Sequence, residues 1–363
     1  MKNDRRAQVK ELSDRLSMAF QAAGALPVET DSLLPAEVLL DLYGEDIRAR
    51  AFVTQDPSRG EQMLRPDFTV PIVQRHMAEG AEPARYTYAG TVWRKQLDPE
   101  QPTETAQVGY ELFDRAAPAS ADAEVFALFS ELLAPHDLTV TIGDMGILRA
   151  VVEGLVTSDV RRRALLRHLW RPARFRALLD RFAGLTPPPA HQVDLLVQVA
   201  VKGVEVVLDE AGPLTGLRSA DEIKARIERL AEDKSAPPLS TEDHQVVLDI
   251  LDMKGPAGDV LDRLSQLADR IERLRAPVEA MRTRHAALRD SGIDPDGLSF
   301  EVSFGRTTME YYDGFVFGFA DTQGRPVANG GRYDALTTAL GQGRSIAAVG
   351  GVIRPEALLE AGA

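Results

Sequence analysis

Two stretches of the chain place polar residues at every second position within otherwise apolar and aromatic surroundings. In Arg85–Gln96 (RYTYAGTVWRKQ), the residues Tyr86, Tyr88, Gly90, Val92, Arg94 and Gln96 share one parity. In Thr105–Asp114 (TAQVGYELFD), Gln107, Gly109 and Glu111 share one parity, while Val108, Tyr110 and Leu112 take the other. Successive side chains of a strand point to opposite faces. A guanidinium, an amide and a carboxylate can therefore line one floor, which suits the capture of a zwitterion such as a free amino acid. An arginine inside such a strand needs an anion, because an unpaired buried guanidinium is costly. That anion is either a ligand carboxylate or phosphate, or a salt-bridge partner such as Glu111. Gln107 and Glu111 on the neighbouring strand favour the ligand.

Other segments carry weaker signals. Leu64–Thr69 (LRPDFT) joins a strand-like region to a helix. There Asp67 or Thr69 can cap the helix, or both can meet a ligand ammonium. Tyr311 and Tyr312, in EYYDG, can cover a small planar ligand, and Asp313-Gly314 is expected to turn a hairpin. Asn329–Asp334 (NGGRYD) reads as a turn before a helix, its glycines giving positive φ or close backbone approach. Val160–Phe182 holds Arg161, Arg162, Arg163, Arg167, Arg171, Arg174, Arg176 and Arg181. These could form an anion or RNA patch, or a solvated helix pair whose arginines meet acidic neighbours. The second reading is preferred, because no aromatic stacking pattern accompanies them. The histidines are scattered without metal-ligand spacing, and no serine–histidine–acid set stands out.

The elements that must position these groups follow from the pattern. A first helix carries Val9, Leu12, Leu16 and Phe20 at helical spacing, with Gly24 near its end. Strands are expected at 51–55, 138–142, 298–304, 309–319 and 345–352, and helices at 70–77, 121–133 and 333–340. From 145 to about 291 charged amphipathic helices dominate, broken by Pro187-Pro188-Pro189, Pro237-Pro238 and Gly255-Pro256. The expectation is an α+β fold: an antiparallel sheet flanked by helices over 1–145 and 295–363, interrupted by a mainly helical insertion at 146–294. Neither G-x-G-x-x-G after a strand nor a Walker loop occurs. At 363 residues the chain can bury a large core, and its net charge of −13 argues against a nucleic-acid coat. The absence of cysteine excludes disulfides and thiolate chemistry. With a charged N-terminus and no long apolar run, a cytoplasmic protein free of membrane is expected.

Taken in order, these segments resemble the catalytic domain of the histidyl-tRNA synthetase family, a class II synthetase fold. MLRPDFT is similar to the family's LRPE-x-T segment, YAGTVWRKQ to its second motif with Arg94 as the motif arginine, and QVGYELF to its Q-x-G-x-E strand. EYYDGFVF resembles the histidine-recognition loop, and GGRYDAL with AAVGGVIRPEAL the third-motif region. The resemblance covers about residues 5–145 and 295–360. It departs where adenylate chemistry needs cations. The recognition-loop arginine falls on Thr307, beside Arg306, and the third-motif arginine on Ala357, with Arg354 and Pro355 shortly before it. The acidic residue after the second-motif arginine is Gln96, and the chain to Ala363 leaves no room for an anticodon-binding domain. Such clamps stabilise charge developing in the transition state, and each is worth several kcal/mol.

A retained amino-acid pocket without the clamps is similar to the regulatory-subunit family of ATP phosphoribosyltransferase. The resemblance implies a non-catalytic subunit that binds L-histidine as effector through Asp67, Thr69, Arg94, Gln107, Glu111, Tyr311 and Tyr312, with no cofactor or metal. It implies a homodimer within a hetero-oligomer with the short-form ATP phosphoribosyltransferase catalytic subunit, serving the first step of histidine biosynthesis and its feedback control. One alternative is a truncated ligase that still activates an amino acid, with Arg306 and Arg354 standing in for the lost arginines. Another is a tRNA binder that uses the arginine run.

Overall fold

The two strands marked by polar alternation are the longest among the described residues and lie side by side. The computed structural model describes residues 2–43, 47–96, 98–213, 219–306 and 311–362. Its strands are β1 (Leu26–Pro27), β2 (Leu33–Pro35), β3 (Val53–Asp56), β4 (Gly60–Leu64), β5 (Ala84–Trp93), β6 (Glu104–Phe113), β7 (Thr139–Asp144), β8 (Lys254–Pro256), β9 (Ser299–Glu301), β10 (Phe315–Ala320), β11 (Pro326–Arg332) and β12 (Ala348–Ile353). Nine of them form one sheet in the order β1-β5-β6-β12-β11-β10-β7-β9-β8, and β2-β4-β3 form a small second sheet. The six central strands, β5 to β7 in that order, pair antiparallel throughout. Register sets Tyr88 opposite Gly109, Gly90 opposite Gln107, and Glu111 opposite Gly350.

One face of this sheet is covered by helices. Lys2–Ala22 buries Leu12, Leu16 and Phe20, and Gly24 takes φ +91° just beyond its end. Pro118–Leu133 buries Phe126 and Phe129. Their rings meet those of the sheet, with Phe20–Tyr110 at 5.4 Å and Phe129–Phe317 at 5.4 Å between centroids. The alternation in β6 thus gives Tyr110 and Leu112 to the core and leaves Gln107, Gly109 and Glu111 on the opposite face.

Between 159 and 251 the described residues build only helices and their connections, several capped by serine: Ser158, Ser219 and Ser240 each accept a backbone N–H. Arg161 is buried against the Asp233 carboxylate at 2.6 Å and the carbonyls of Pro237 and Ala236. Arg162 pairs with Asp159 and Arg176 with Asp180. Much of the arginine run is therefore answered by neighbouring acids and carbonyls. Helix Arg275–Asp290 returns to the sheet and lies against Pro118–Leu133. Its Arg284 reaches Asp122 at 3.2 Å and also pairs with Asp144, while Arg332 binds the same Asp122 at 2.7 and 3.0 Å.

Two local expectations are corrected. Asn329-Gly330-Gly331-Arg332 is not a turn but the end of strand β11. A side chain at Gly331 would strike the Phe315 carbonyl at 2.6 Å, so these glycines serve close approach within a sheet rather than chain reversal. Asp313-Gly314 does not close a hairpin either. The Asp313 carboxylate accepts the backbone N–H groups of Asp334 (3.0 Å) and Ala335 (2.7 Å), opening helix Asp334–Leu340. Burial first, then Asp334 nearby, raises Asp313 to about 6. The strand expected at 309–319 begins only at Phe315: residues 311–314 are turn, bend and irregular backbone, where the Asp313 carboxylate is held by the start of the next helix. Thr307 and Glu310 lie outside the described residues. No described helix is long and apolar enough to cross a membrane.

Candidate functional site

Opposite the helical layer, a pocket forms where β5, β6 and β12 run together. It is lined by Asp67, Thr69, Arg94, Gln107, Glu111, Tyr311 and Tyr312, and also by Tyr88, Asn329, Tyr333 and Arg354. All seven residues expected from the sequence are thus brought to one place. The side chains converge so closely that the void between them is about 20 Å³.

Glu111 forms one end. It is 1% exposed, accepts a hydrogen bond from Tyr333 Oη at 2.6 Å and another from Thr69 Oγ1 at 2.9 Å. Burial raises its pKa to about 8 despite those two bonds, and the Asp67 charge adds to the rise. Gly350 on β12 lies across from it, and any side chain there would overlap the Glu111 carboxylate. Glycine is therefore required for this carboxylate to occupy its place. Thr69 opens helix Thr69–Glu79, and Asp67 caps it by accepting the Val70 N–H at 3.2 Å. Asp67 is buried while doing so. The capping reading of Asp67 holds together with its place in the pocket wall.

Tyrosines close the middle of the pocket. Tyr311 Oη donates to Thr69 Oγ1 at 3.3 Å, and its ring packs edge-on against Tyr312 and Tyr333, with centroids at 5.1 and 5.9 Å. Tyr88 stacks on Phe68 at 4.4 Å, and a side chain at Gly109 would collide with the Tyr88 ring. Burial raises the phenol pKa values of Tyr88, Tyr312 and Tyr333.

The other end is cationic. Arg94, just past β5, does not pair with Glu111; its Nε donates to the Pro66 carbonyl at 2.7 Å. Arg354 leaves the end of β12 and donates to Asn329 Oδ1 at 2.6 Å. Neither guanidinium has a carboxylate partner among the described residues. The Gln107 amide, 3% exposed, also faces the pocket without a hydrogen bond to the described residues. The pocket is therefore bipolar, with Glu111 held by two hydroxyls and Asp67 by a backbone N–H at one end, and two guanidiniums with an amide at the other.

Arg306, beside Thr307, is turned away. Its Nε donates to the Leu169 carbonyl at 2.7 Å and its guanidinium lies over Phe175, among the helices. Ala357 sits on helix Pro355–Ala361 and does not line the pocket. Sequence reasoning missed Tyr333, Asn329 and Tyr88 as pocket residues. Tyr88 was within reach, since it shares the parity of Arg94 on β5. Asn329, on β11, and Tyr333, just beyond it, had no such signal, because the segment that carries them reads as a turn.

Comparison with known proteins gives a consistent picture. The family described as histidyl-tRNA synthetase matches residues 1–257 and 233–358. An ATP phosphoribosyltransferase regulatory subunit from Agrobacterium fabrum is 33% identical over 358 residues, covering 94% of each chain. The protein of that name from Mesorhizobium japonicum is 33% identical over 378 residues, covering 96% of this chain and 98% of its own. Among solved structures, an ATP phosphoribosyltransferase regulatory subunit/histidyl-tRNA synthetase from Bacillus halodurans superposes with a TM-score of 0.69 at 23% identity, covering 98% of this chain and 79% of that one. Histidyl-tRNA synthetase from Nostoc superposes with a TM-score of 0.64 at 18% identity, covering 98% of this chain and 72% of that one. These two likenesses establish the fold: mixed α+β, with a large, mostly antiparallel sheet flanked by helices.

Proposed function

The chain belongs to the ATP phosphoribosyltransferase regulatory-subunit family, non-catalytic relatives of histidyl-tRNA synthetase, and from that premise we propose that its pocket is the histidine sensor of the assembled enzyme. In this reading the chain pairs with the short-form catalytic subunit in the cytoplasm, as a homodimer within a hetero-oligomer, in the first step of histidine biosynthesis. Asp67, Thr69, Gln107 and Glu111 take the ammonium or imidazole groups of L-histidine. Arg94 takes its carboxylate, and Tyr311 and Tyr312 cover its side chain.

The observation that carries this reading is the bipolar pocket. Glu111 is held by Tyr333 and Thr69 at one end, and Arg94 has no carboxylate partner among the described residues at the other. A free amino acid supplies both missing charges. Histidine then acts by binding one quaternary state better than another, and its leverage equals that difference in affinity. The ligase alternative loses support because Arg306 is committed to Leu169 and Phe175 rather than to the pocket.

Two measurements test the proposal. The purified chain is expected to bind histidine in a titration without catalysing histidine-dependent ATP–pyrophosphate exchange; exchange would favour the ligase. In the complex with the catalytic subunit, Glu111→Ala is expected to abolish inhibition by histidine. Unchanged inhibition would place the effector elsewhere.

A further inference from the structure

We infer that Arg354 is a second carboxylate anchor in the pocket, so that the site demands a ligand with a free α-carboxylate. The inference rests on the reading of this pocket as an amino-acid site and adds a residue and a selectivity to it.

The strand register delivers Arg354 to this place. Gly350 lies opposite Glu111, Val352 opposite Gly109, and Ile353 opposite Val108, so Arg354 emerges level with Gln107. Gln107 is in turn level with Gly90 on β5, the strand from which Arg94 continues. Gly350, Val352 and Arg354 share the parity that faces the pocket, and all three line it. At ~3.3 Å per residue, Arg354 stands about 13 Å along the sheet from the level of Glu111. That distance explains why the two opposite charges do not pair.

The local contacts leave Arg354 half satisfied. Nη2 donates to Asn329 Oδ1, whose own amide nitrogen donates to Tyr312 Oη at 3.4 Å. Nη1 is sealed from solvent and makes no hydrogen bond among the described residues. Glu356, two residues on, accepts the Ala106 N–H instead of turning back to Arg354. Pro355 begins the next helix, and the Arg354 N–H is fixed to the Val327 carbonyl at 2.9 Å, so the guanidinium is launched from a held backbone. Burial and the neighbouring Arg94 charge together lower Arg354 to about 10. Arg94 and Arg354 thus line one pocket, close enough for the first charge to depress the second, with a sealed Arg354 N–H donor and no ion pair to an acid of the described residues. A carboxylate answers both charges and the orphan donor at once. An amide or alcohol at that position leaves the repulsion in place.

The test is a matrix of titrations with L-histidine and with L-histidinol, in which CH₂OH replaces the carboxylate, against the wild-type chain, Arg354→Met and Arg354→Lys. The wild type is expected to prefer histidine over histidinol by about ten- to hundredfold, the range of a charge-assisted hydrogen bond. Arg354→Met is expected to lose most of that preference by weakening histidine while leaving histidinol nearly unchanged; Arg354→Lys is expected to recover part of it. Preference undiminished in Arg354→Met would overturn the role of Arg354 while leaving the histidine reading intact. A wild-type chain that binds histidine and histidinol equally would also overturn it. Failure of the wild type to bind either compound, alone and in the complex, would overturn the pocket reading itself. Near-normal histidinol binding by Arg354→Met also reports that the variant is folded.

Discussion

Gly350 and Glu111 face each other across adjacent strands, and the Glu111 carboxylate occupies the space that a side chain at position 350 would fill. The backbone of β12 is thus the floor on which the pocket's buried carboxylate rests. Gly350→Ala is expected to displace that carboxylate and weaken histidine binding more than about tenfold, with an overpacking cost of ~1–3 kcal/mol. Denaturant unfolding beside a histidine titration checks both parts; normal affinity in the variant would show that the position of Glu111 does not govern binding.

The raised pKa of Glu111 has a stability signature. Its ordinary value of 4.5 is lifted to about 8, chiefly by burial. Between those values the folded chain holds a proton that the unfolded chain releases. Stability is therefore fully present below about pH 4.5 and declines as pH rises through about 8. Glu111→Gln cannot titrate, so its melting temperature is expected to fall less between about pH 5 and pH 9 than that of the wild type. Asp313, raised to about 6, titrates in both proteins and cancels in the difference. Parallel melting curves across the range would contradict the shift.

Tyr333 supports the ionised form of Glu111 through a 2.6 Å hydrogen bond. Removing that hydroxyl in Tyr333→Phe makes the carboxylate harder to ionise, because a bond to a charged group is worth ~1.5–3 kcal/mol. Histidine affinity is expected to drop about tenfold near pH 7 and to recover partly near pH 9. A loss of the same size at both values would mean that Tyr333 acts by shape rather than through the charge of Glu111.

Asp122 answers two buried arginines, Arg284 from a late helix and Arg332 from β11. Asp122→Ala leaves both guanidiniums short of an anion. The expected cost is ~3–5 kcal/mol, that of breaking a buried pair from one side. A fall in the denaturant midpoint at unchanged slope would report it, and a change under ~1 kcal/mol would show that water or rearrangement satisfies the arginines.

Three of the seven expected pocket residues were legible because a two-residue period needs only the local sequence; Asp67, Thr69, Tyr311 and Tyr312 came from weaker local signals joined by the family resemblance. Arg94, Gln107 and Glu111 declared their shared face without knowledge of the fold. What the sequence hid depends on which strands are neighbours. Arg354 reads as a surrogate phosphate clamp until β12 is seen beside β6, where it comes level with Gln107. Gly330-Gly331 reads as a turn, because adjacent glycines usually mark one. Here the pair lies within a strand, and a side chain at Gly331 would meet the Phe315 carbonyl and the Tyr312 ring, contacts made by distant parts of the chain. Asp313 reads as half of a hairpin turn, and its true partners, the N–H groups of Asp334 and Ala335, lie some twenty residues away. The supposed Arg94–Glu111 bridge fails for the same reason: nearer hydroxyls satisfy the acid, and a carbonyl takes the arginine.

The void between the pocket side chains, about 20 Å³, holds little more than one water molecule. On the proposed reading an amino acid enters only after the lining has yielded, past a wall in which Tyr311, Arg94 and Arg354 are partly exposed. Association becomes a gated event, slower than free encounter, with a rate set by how often the pocket opens. The work of opening is also subtracted from the intrinsic affinity. On that reading the pocket fills only when its ligand is abundant enough to offset the work of opening.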